Sequence, residues 1–236
     1  MKVSLIIPMY NESKIIGHTA DTLCRYMSDN FDDYEILFCD DGSTDCSKEA
    51  VDSLRLDNVR VISYSDNRGK GSAVRVGMLE AKGDVRIFTD ADLAYGTDVI
   101  AAAVDTLAKN EGADILIGSR NIGMDGYDGY TLGRKLMSKM YIRILCLVGG
   151  FKLSDSQCGF KVFTADSANA VFSQCKVDGF AFDFEAILIA NKQNRKIIEM
   201  PVKVINHRDS SIKPLKDAFK MLGDIRRIKK DVKSAK

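Results

Sequence analysis

Three short acidic clusters are the residues of this chain best suited to chemistry: Asp40-Asp41-Gly42-Ser43, Asp90-Ala91-Asp92 and Asp183-Phe184-Glu185. Asp and Gly also build ordinary turns and helix caps, so a single acidic pair says little. The alternation in Asp90-Ala91-Asp92 says more. Alternate residues of an extended or turning segment can present oxygens to one hard cation, Mg2+ or Mn2+, which in turn would hold a diphosphate. A basic, Gly-rich stretch, Asn67-Arg68-Gly69-Lys70-Gly71, reads either as a phosphate cradle or as a helix start that needs close backbone approach. No G-x-x-x-x-G-K-[ST] loop and no G-x-G-x-x-G helix opening follows the first strand, which removes the P-loop and dinucleotide fingerprints.

Positioning these residues falls to the first 120 residues, where short β-branched runs alternate with helical patterns, the signature of βαβ units and a parallel sheet. Strands are predicted at Val3 to Pro8, Glu35 to Cys39, Val59 to Ser63, Val85 to Thr89 and Asp114 to Gly118. Helices are predicted at Glu12 to Met27, Asp45 to Leu54, Gly71 to Ala81 and Asp98 to Asn110. A strand apolar throughout, such as Leu5-Ile6-Ile7, suits a sheet covered on both faces. Open α/β sheets bind ligands at the carboxyl ends of their strands, so the three acidic clusters, each placed at a strand end, should gather there. Beyond residue 120 come a Gly/Asp/Tyr-rich loop (123–130), a long helix (Leu132 to Val148), a strand at Phe160 to Phe163, a helix at Phe182 to Asn191 and a strand at Lys196 to Val204. Residues 1–213 read as one α/β domain and 214–236 as a basic amphipathic helix.

The 236 residues hold 34 Lys plus Arg against 33 Asp plus Glu, and 45% are apolar. A net charge of +1 excludes the broad cationic footprint of a general nucleic-acid binder, and the apolar fraction excludes a disordered chain. The charge is uneven: residues 214–236 carry eight cations and three Asp, a net of +5, which leaves the first 213 residues at −4. The longest central apolar run, Ile144 to Phe151, is too short to span a bilayer, and the opening residues do not read as a secretory signal. Six Cys without a C-x-x-C pair suggest reduced thiols in a cytosolic chain rather than a metal cluster.

Taken in order, Ile6-Ile7-Pro8-Met9-Tyr10-Asn11-Glu12, Asp40-Asp41-Gly42-Ser43-Thr44-Asp45, Asn67-Arg68-Gly69-Lys70-Gly71 and Asp90-Ala91-Asp92 resemble the inverting GT-A glycosyltransferases of family 2. Gly118-Ser119-Arg120, the segment Arg134 to Ser138, Gln157-Cys158-Gly159-Phe160-Lys161 and His207-Arg208 with Lys213 are similar to the branch containing dolichyl-phosphate mannose and glucose synthases. The resemblance implies a three-layer α/β/α fold with a mostly parallel sheet. It further implies transfer of a hexose from a UDP-glucose or GDP-mannose type donor to a polyprenyl phosphate at the cytosolic face of a membrane. Pro8, Tyr10, Glu12, Phe38 and Asp40 would then form the nucleoside pocket. Asp90 and Ala91 would border the diphosphate, and Asp92, with Asp90, would hold Mg2+ or Mn2+. Arg120, Arg208 and Lys213 would neutralise phosphate oxygens, and Arg134 and Ser138 would meet the acceptor phosphate. Mannosyl members often carry a Gln two places after the second Asp; Ala94 stands there, which turns the expected donor towards UDP-glucose.

A phosphate acceptor is already ionised at neutral pH and needs no general base, whereas a sugar hydroxyl would need one, and Asp183, Glu185 or Asp155 could serve. With no Trp, the chain lacks the Q-x-x-R-W signature of processive polysaccharide synthases. Transfer to a hydroxyl of a glycan or glycolipid is the alternative, and a nucleotide-binding module without transfer activity is the alternative outside enzymes. Two amphipathic segments bear on a lipid acceptor. One is Leu132 to Val148, where Arg134, Lys135, Lys139 and Arg143 interrupt apolar residues at helical spacing. The other is the tail, where Leu215, Phe219, Leu222, Ile225, Ile228 and Val232 step by three or four among cations, the pattern of a helix that lies in an anionic membrane interface or docks on the domain or on a partner's helix, the interface being favoured because a lipid acceptor must be reached. A small membrane protein recruiting the chain is a further partner compatible with these features.

Overall fold

In the computed structural model, residues 1–123, 126–206, 224–225 and 227–232 are described. The chain order is β1 (Val3–Met9), α1 (Ile16–Asn30), β2 (Tyr34–Asp40), α2 (Ser47–Asp52), β3 (Val59–Ser63), α3 (Lys70–Glu80), β4 (Val85–Phe88) and α4 (Asp98–Lys109). It continues with β5 (Ile115–Ser119), α5 (Leu132–Gly149), β6 (Lys161–Thr164), α6 (Ala165–Phe172), α7 (Phe182–Lys192) and β7 (Ile197–Pro201). The strands form one sheet in the order β3-β2-β1-β4-β6-β5-β7. β6 runs antiparallel to both neighbours; every other pair is parallel. All seven residues of β1 are buried, as a strand covered on both faces must be.

Successive strands step from β1 to β3 in one direction, and β4 then pairs on the other side of β1. That reversal opens a crevice at the carboxyl ends of β1 and β4, where Met9 and the Asp90 turn lie. Because β6 is antiparallel, its first residue sits at the same edge as the carboxyl ends of β4 and β5, so the loop before it, residues 155–160, is delivered to the crevice.

Several boundaries differ from expectation for identifiable reasons. α1 begins at Ile16 rather than Glu12, because the amides of Asn11, Glu12 and Ser13 bond to Ser43, Ser47 and Asp45 instead of opening a helix. Asp183 and Glu185 stand in the first turn of α7, not at the end of a strand. α6 was not anticipated; Thr164 caps it by accepting from the Ser167 amide at 3.2 Å. β7 stops at Pro201, after which the chain crosses to the acidic turn, with the Ile205 amide donating to the Ala94 carbonyl at 2.8 Å. In the tail, Ile225 and Ile228 are buried in the core, and the Val232 carbonyl accepts from Lys192 Nζ at 2.6 Å. The described part of the tail therefore docks its apolar side on the domain, the alternative to the favoured interfacial helix. Leu215, Phe219 and Leu222 lie outside the described residues.

Candidate active site

At the ends of β1 and β2, the first acidic cluster ties loops together. Asp40 is almost wholly buried and accepts from the Ser43 amide at 3.1 Å and the Ser63 hydroxyl at 2.8 Å. Asp41 accepts from the Tyr64 hydroxyl at 2.6 Å and from the amides of Arg68 and Gly69 at 3.0 and 2.7 Å. Of the residues expected around a nucleoside, Tyr10 is 44% exposed beside this cluster and Glu12 is half-buried, whereas Pro8 is buried within β1. Phe38 has no exposed surface at all: it packs the core beneath the site and cannot form a pocket wall.

The Asn67 to Gly71 stretch turns out to be a helix start. The Asp178 carbonyl accepts from the Gly71 and Ser72 amides at the head of α3, so those donors are already used. Gly69 has φ +120°, and a Cβ there would come within 2.5 Å of the Asp178 carbonyl oxygen, so glycine is required. This start directs Lys70 to the Asp90 carboxylate, with which it forms an ion pair. Burial alone would lower the Lys70 pKa; the neighbouring charge of Asp90 outweighs it and holds the ammonium above its usual range. The other Asp90 oxygen lies over Gly159, where a Cβ would collide with it. Tyr95 fixes Gly159 by accepting its amide hydrogen at 3.2 Å. Alongside, Lys161 Nζ bonds to Asp183 at 2.5 Å and to the Cys158 carbonyl at 2.6 Å. Burial pushes the Asp183 carboxyl up, against the pull of Lys161 and Lys70. Acids and lysines thus alternate along the crevice.

Asp92 accepts from the Ala94 amide at 3.1 Å, and Asn206 Nδ2 donates to the Leu93 carbonyl at 3.0 Å, which ties the segment after β7 to the acidic turn. His207, Arg208 and Lys213 themselves lie outside the described residues. Among the described residues no three His, Cys, Asp or Glu converge as a metal cage. Two carboxylates with oxygen donors only still fit a hard divalent cation, since Mg2+ typically takes one or two carboxylates and completes its shell with substrate phosphates and water.

Arg120 was expected to meet phosphate oxygens. Instead it is buried in a two-pronged pair with Asp155, Nε to Oδ2 at 2.6 Å and Nη2 to Oδ1 at 2.9 Å, and its face lies 4.9 Å from the Tyr127 ring centre. Burial would lower the guanidinium pKa, but Asp155 raises it. Glu199 braces the same loop, accepting from Ser154 and Asp155 amides at 2.9 and 3.1 Å. Arg120 is therefore a positioning residue for the 153–160 loop. Arg134 is exposed at the start of α5 and stacks over Tyr130 at 4.2 Å, while Ser138 Oγ lies 3.4 Å from the Tyr127 hydroxyl. Sequence reasoning missed Lys70 as the partner of Asp90 and Lys161 as the partner of Asp183. Each lies in a motif that had been singled out, but the pairings span 20 and 22 residues.

A seven-stranded, mostly parallel sheet with an acidic turn at its switch point has the architecture of the GT-A fold. The chain belongs to glycosyl transferase family 2, which it matches over residues 4–172. It is 30% identical to a dolichyl-phosphate beta-glucosyltransferase of Dictyostelium discoideum, across 96% of this chain and 73% of that protein. A Trichomonas vaginalis dolichyl-phosphate beta-glucosyltransferase is 31% identical, across 96% and 72%. Among solved structures, glucosyl-3-phosphoglycerate synthase from Mycobacterium tuberculosis, in complex with Mn2+, UDP and glucosyl-3-phosphoglycerate, superposes with a TM-score of 0.71 at 18% identity, covering 98% of this chain and 79% of that one. That likeness concerns the fold.

Proposed function

We propose that this chain transfers a glucosyl group from UDP-glucose to a polyprenyl phosphate at the cytosolic face of a membrane, with inversion at the anomeric carbon. The observation that carries the acceptor class is the state of the three carboxylates able to act as a general base. Asp155 is closed on Arg120, Glu185 accepts from the Lys176 and Val177 amides at 2.9 and 2.8 Å, and Asp183 is held by Lys161. A phosphate acceptor needs none of them, because its oxygen is already anionic; a hydroxyl acceptor would. The names of the relatives point to the same acceptor and to glucose.

In the transfer, a phosphate oxygen of the lipid forms a bond to the anomeric carbon as the bond from that carbon to the diphosphate breaks, leaving the nucleoside diphosphate and a sugar-phosphate lipid. Asp92, with Asp90, would hold the divalent cation. When bound, that cation supplies positive charge to the departing diphosphate. Lys70 holds Asp90 in place and adds positive charge beside it. Tyr10 and Glu12 border the nucleoside end, and Arg134 and Ser138 meet the acceptor phosphate. Arg208 and Lys213 act on phosphate oxygens.

The test is product analysis by mass spectrometry after mixing the full chain with Mn2+ or Mg2+, UDP- and GDP-hexoses and a detergent-dispersed polyprenyl phosphate. A glucosyl-phosphate lipid formed from UDP-glucose is the expected product. Transfer to hydroxyl-bearing glycans, with none to the lipid phosphate, would overturn the acceptor; turnover of GDP-mannose alone would overturn the donor.

A further inference from the structure

Asp90 is a proposed ligand of the divalent cation, yet neither of its oxygens is free. Oδ1 takes the ammonium of Lys70. Oδ2 lies over Gly159, so close that a Cβ on that glycine would overlap it, and the Tyr95 hydroxyl fixes Gly159 by accepting its amide hydrogen. The oxygen that Gly159 leaves uncovered is therefore the one that Lys70 holds, and a cation reaching Asp90 has to take it from the lysine. The two acid–lysine pairs of the crevice differ in access. In the pair of Lys161 with Asp183 the side chains are 1 and 11% exposed; in that of Lys70 with Asp90 they are 26 and 31% exposed. The first is a buried brace, and the second can open to solvent. Asp90 is foremost among the charges that favour the Lys70 ammonium, with Asp183 and Asp92 behind it, so both carboxylates expected to share the cation act on this one lysine.

We propose that Lys70 is an exchangeable counter-ion of the cation site: its ammonium occupies Asp90 until a divalent cation arrives with a nucleoside diphosphate, and then leaves the carboxylate for a diphosphate oxygen. Only ionic contacts exchange, and no covalent bond changes. The consequence is coupling between two ligands. A cation alone has to displace an ammonium and is then repelled by it. A diphosphate gives the displaced ammonium a new partner, so cation and nucleotide bind better together than either does alone. Lysine suits the exchange, because it carries a point charge on a flexible four-carbon stem, whereas the forked guanidinium of Arg120 is committed to Asp155. The start of α3, pinned by Gly69 against the Asp178 carbonyl, holds the backbone of Lys70 still, so that side-chain torsions alone carry the charge from one partner to the other. The exchange rests on the reading of Asp90 and Asp92 as the cation's ligands.

The experiment follows free Mn2+ by electron paramagnetic resonance in titrations of the full chain, as wild type, Lys70→Met and Lys70→Arg, with and without UDP. Without UDP, Lys70→Met should bind Mn2+ about tenfold more tightly than the wild type, because a unit charge about 5 Å from a divalent cation changes its affinity by that order even at the dielectric of water. With Mn2+ saturating, the same variant should bind UDP about tenfold more weakly, again through the loss of one positive charge. Lys70→Arg should stay near the wild type in both. Opposite signs in the two titrations are what a merely structural lysine does not produce. If Lys70→Met binds Mn2+ alone no more tightly than the wild type, yet still binds it with UDP, the exchange is overturned and the cation site stands. If the wild type takes up no Mn2+ even with UDP, the cation site itself fails and the exchange with it. Should Lys70→Met not fold, the wild type carries the test. Acetylation of Lys70 by acetic anhydride, read by peptide mass spectrometry, should rise when Mn2+ frees the ammonium and fall again when UDP is added; equal reactivity in all three states would overturn the proposal.

Discussion

At the residue scale, the crevice separates carboxylates that hold structure from those that face ligands. Asp92→Asn should weaken Mn2+ binding in the presence of UDP at least about 100-fold, read by titration calorimetry, and donor turnover should fall with it; unchanged affinity would remove Asp92 from the cation site. Arg120→Ala leaves the buried Asp155 carboxylate without its counter-charge, keeping only the amide bond from residue 120, and chemical denaturation should show a loss of about 3–5 kcal/mol. The double variant Arg120→Met, Asp155→Leu should recover much of that loss, because no uncompensated charge then remains. Asp45 offers a pH test. Its slight burial would raise its pKa, but bonds from Ser47 and Ser13 hold the carboxyl down at about 2, against an ordinary value of 3.8. A depressed carboxylate contributes stability that is present above the unfolded value and lost as pH falls through the folded one. The urea midpoint should therefore drop between pH 3.8 and about 2, and Asp45→Asn should flatten that drop.

At the scale of elements, the strands were legible because buried parallel strands are written as β-branched apolar runs, and β1, β3 and β5 stand within a residue or so of where such runs predict them. Helix starts were less legible where side chains from elsewhere captured the backbone: Ser43, Asp45 and Ser47 postpone α1 by four residues relative to the pattern. The direction of β6 left no local trace, since direction is decided by which edges its neighbours leave open. The site was partly legible for the same reason. Asp90-Ala91-Asp92 is a local pattern, whereas the pairing of Arg120 with Asp155 depends on a loop 35 residues away. The start of α3 carries its own prediction. Gly69→Ala would force a side chain against the Asp178 carbonyl and shift Lys70 from Asp90. Donor KM should rise more than kcat falls, while Gly17→Ala, with nothing within 4 Å of the added methyl, should leave both unchanged. A Gly69→Ala enzyme with wild-type KM would show that the helix start does not position Lys70 for donor binding.

At the scale of the whole molecule, two basic amphipathic segments have opposite fates. Periodicity alone cannot tell a face that meets the domain from one that meets a membrane, because each demands the same apolar spacing. The fold decides. α5 already buries Ile142 and Leu145 and still exposes a second apolar side, whereas the described tail has a single apolar side that the core absorbs through Ile225 and Ile228. The tail should accordingly behave as a stability element. Ile225→Ala and Ile228→Ala should each cost about 2–5 kcal/mol in chemical denaturation, as truncation of a buried isoleucine does. Flotation with anionic vesicles, measured well below the unfolding midpoint, should stay at the wild-type level. If either substitution instead abolished vesicle binding while leaving stability intact, the tail would be the surface that reaches the lipid.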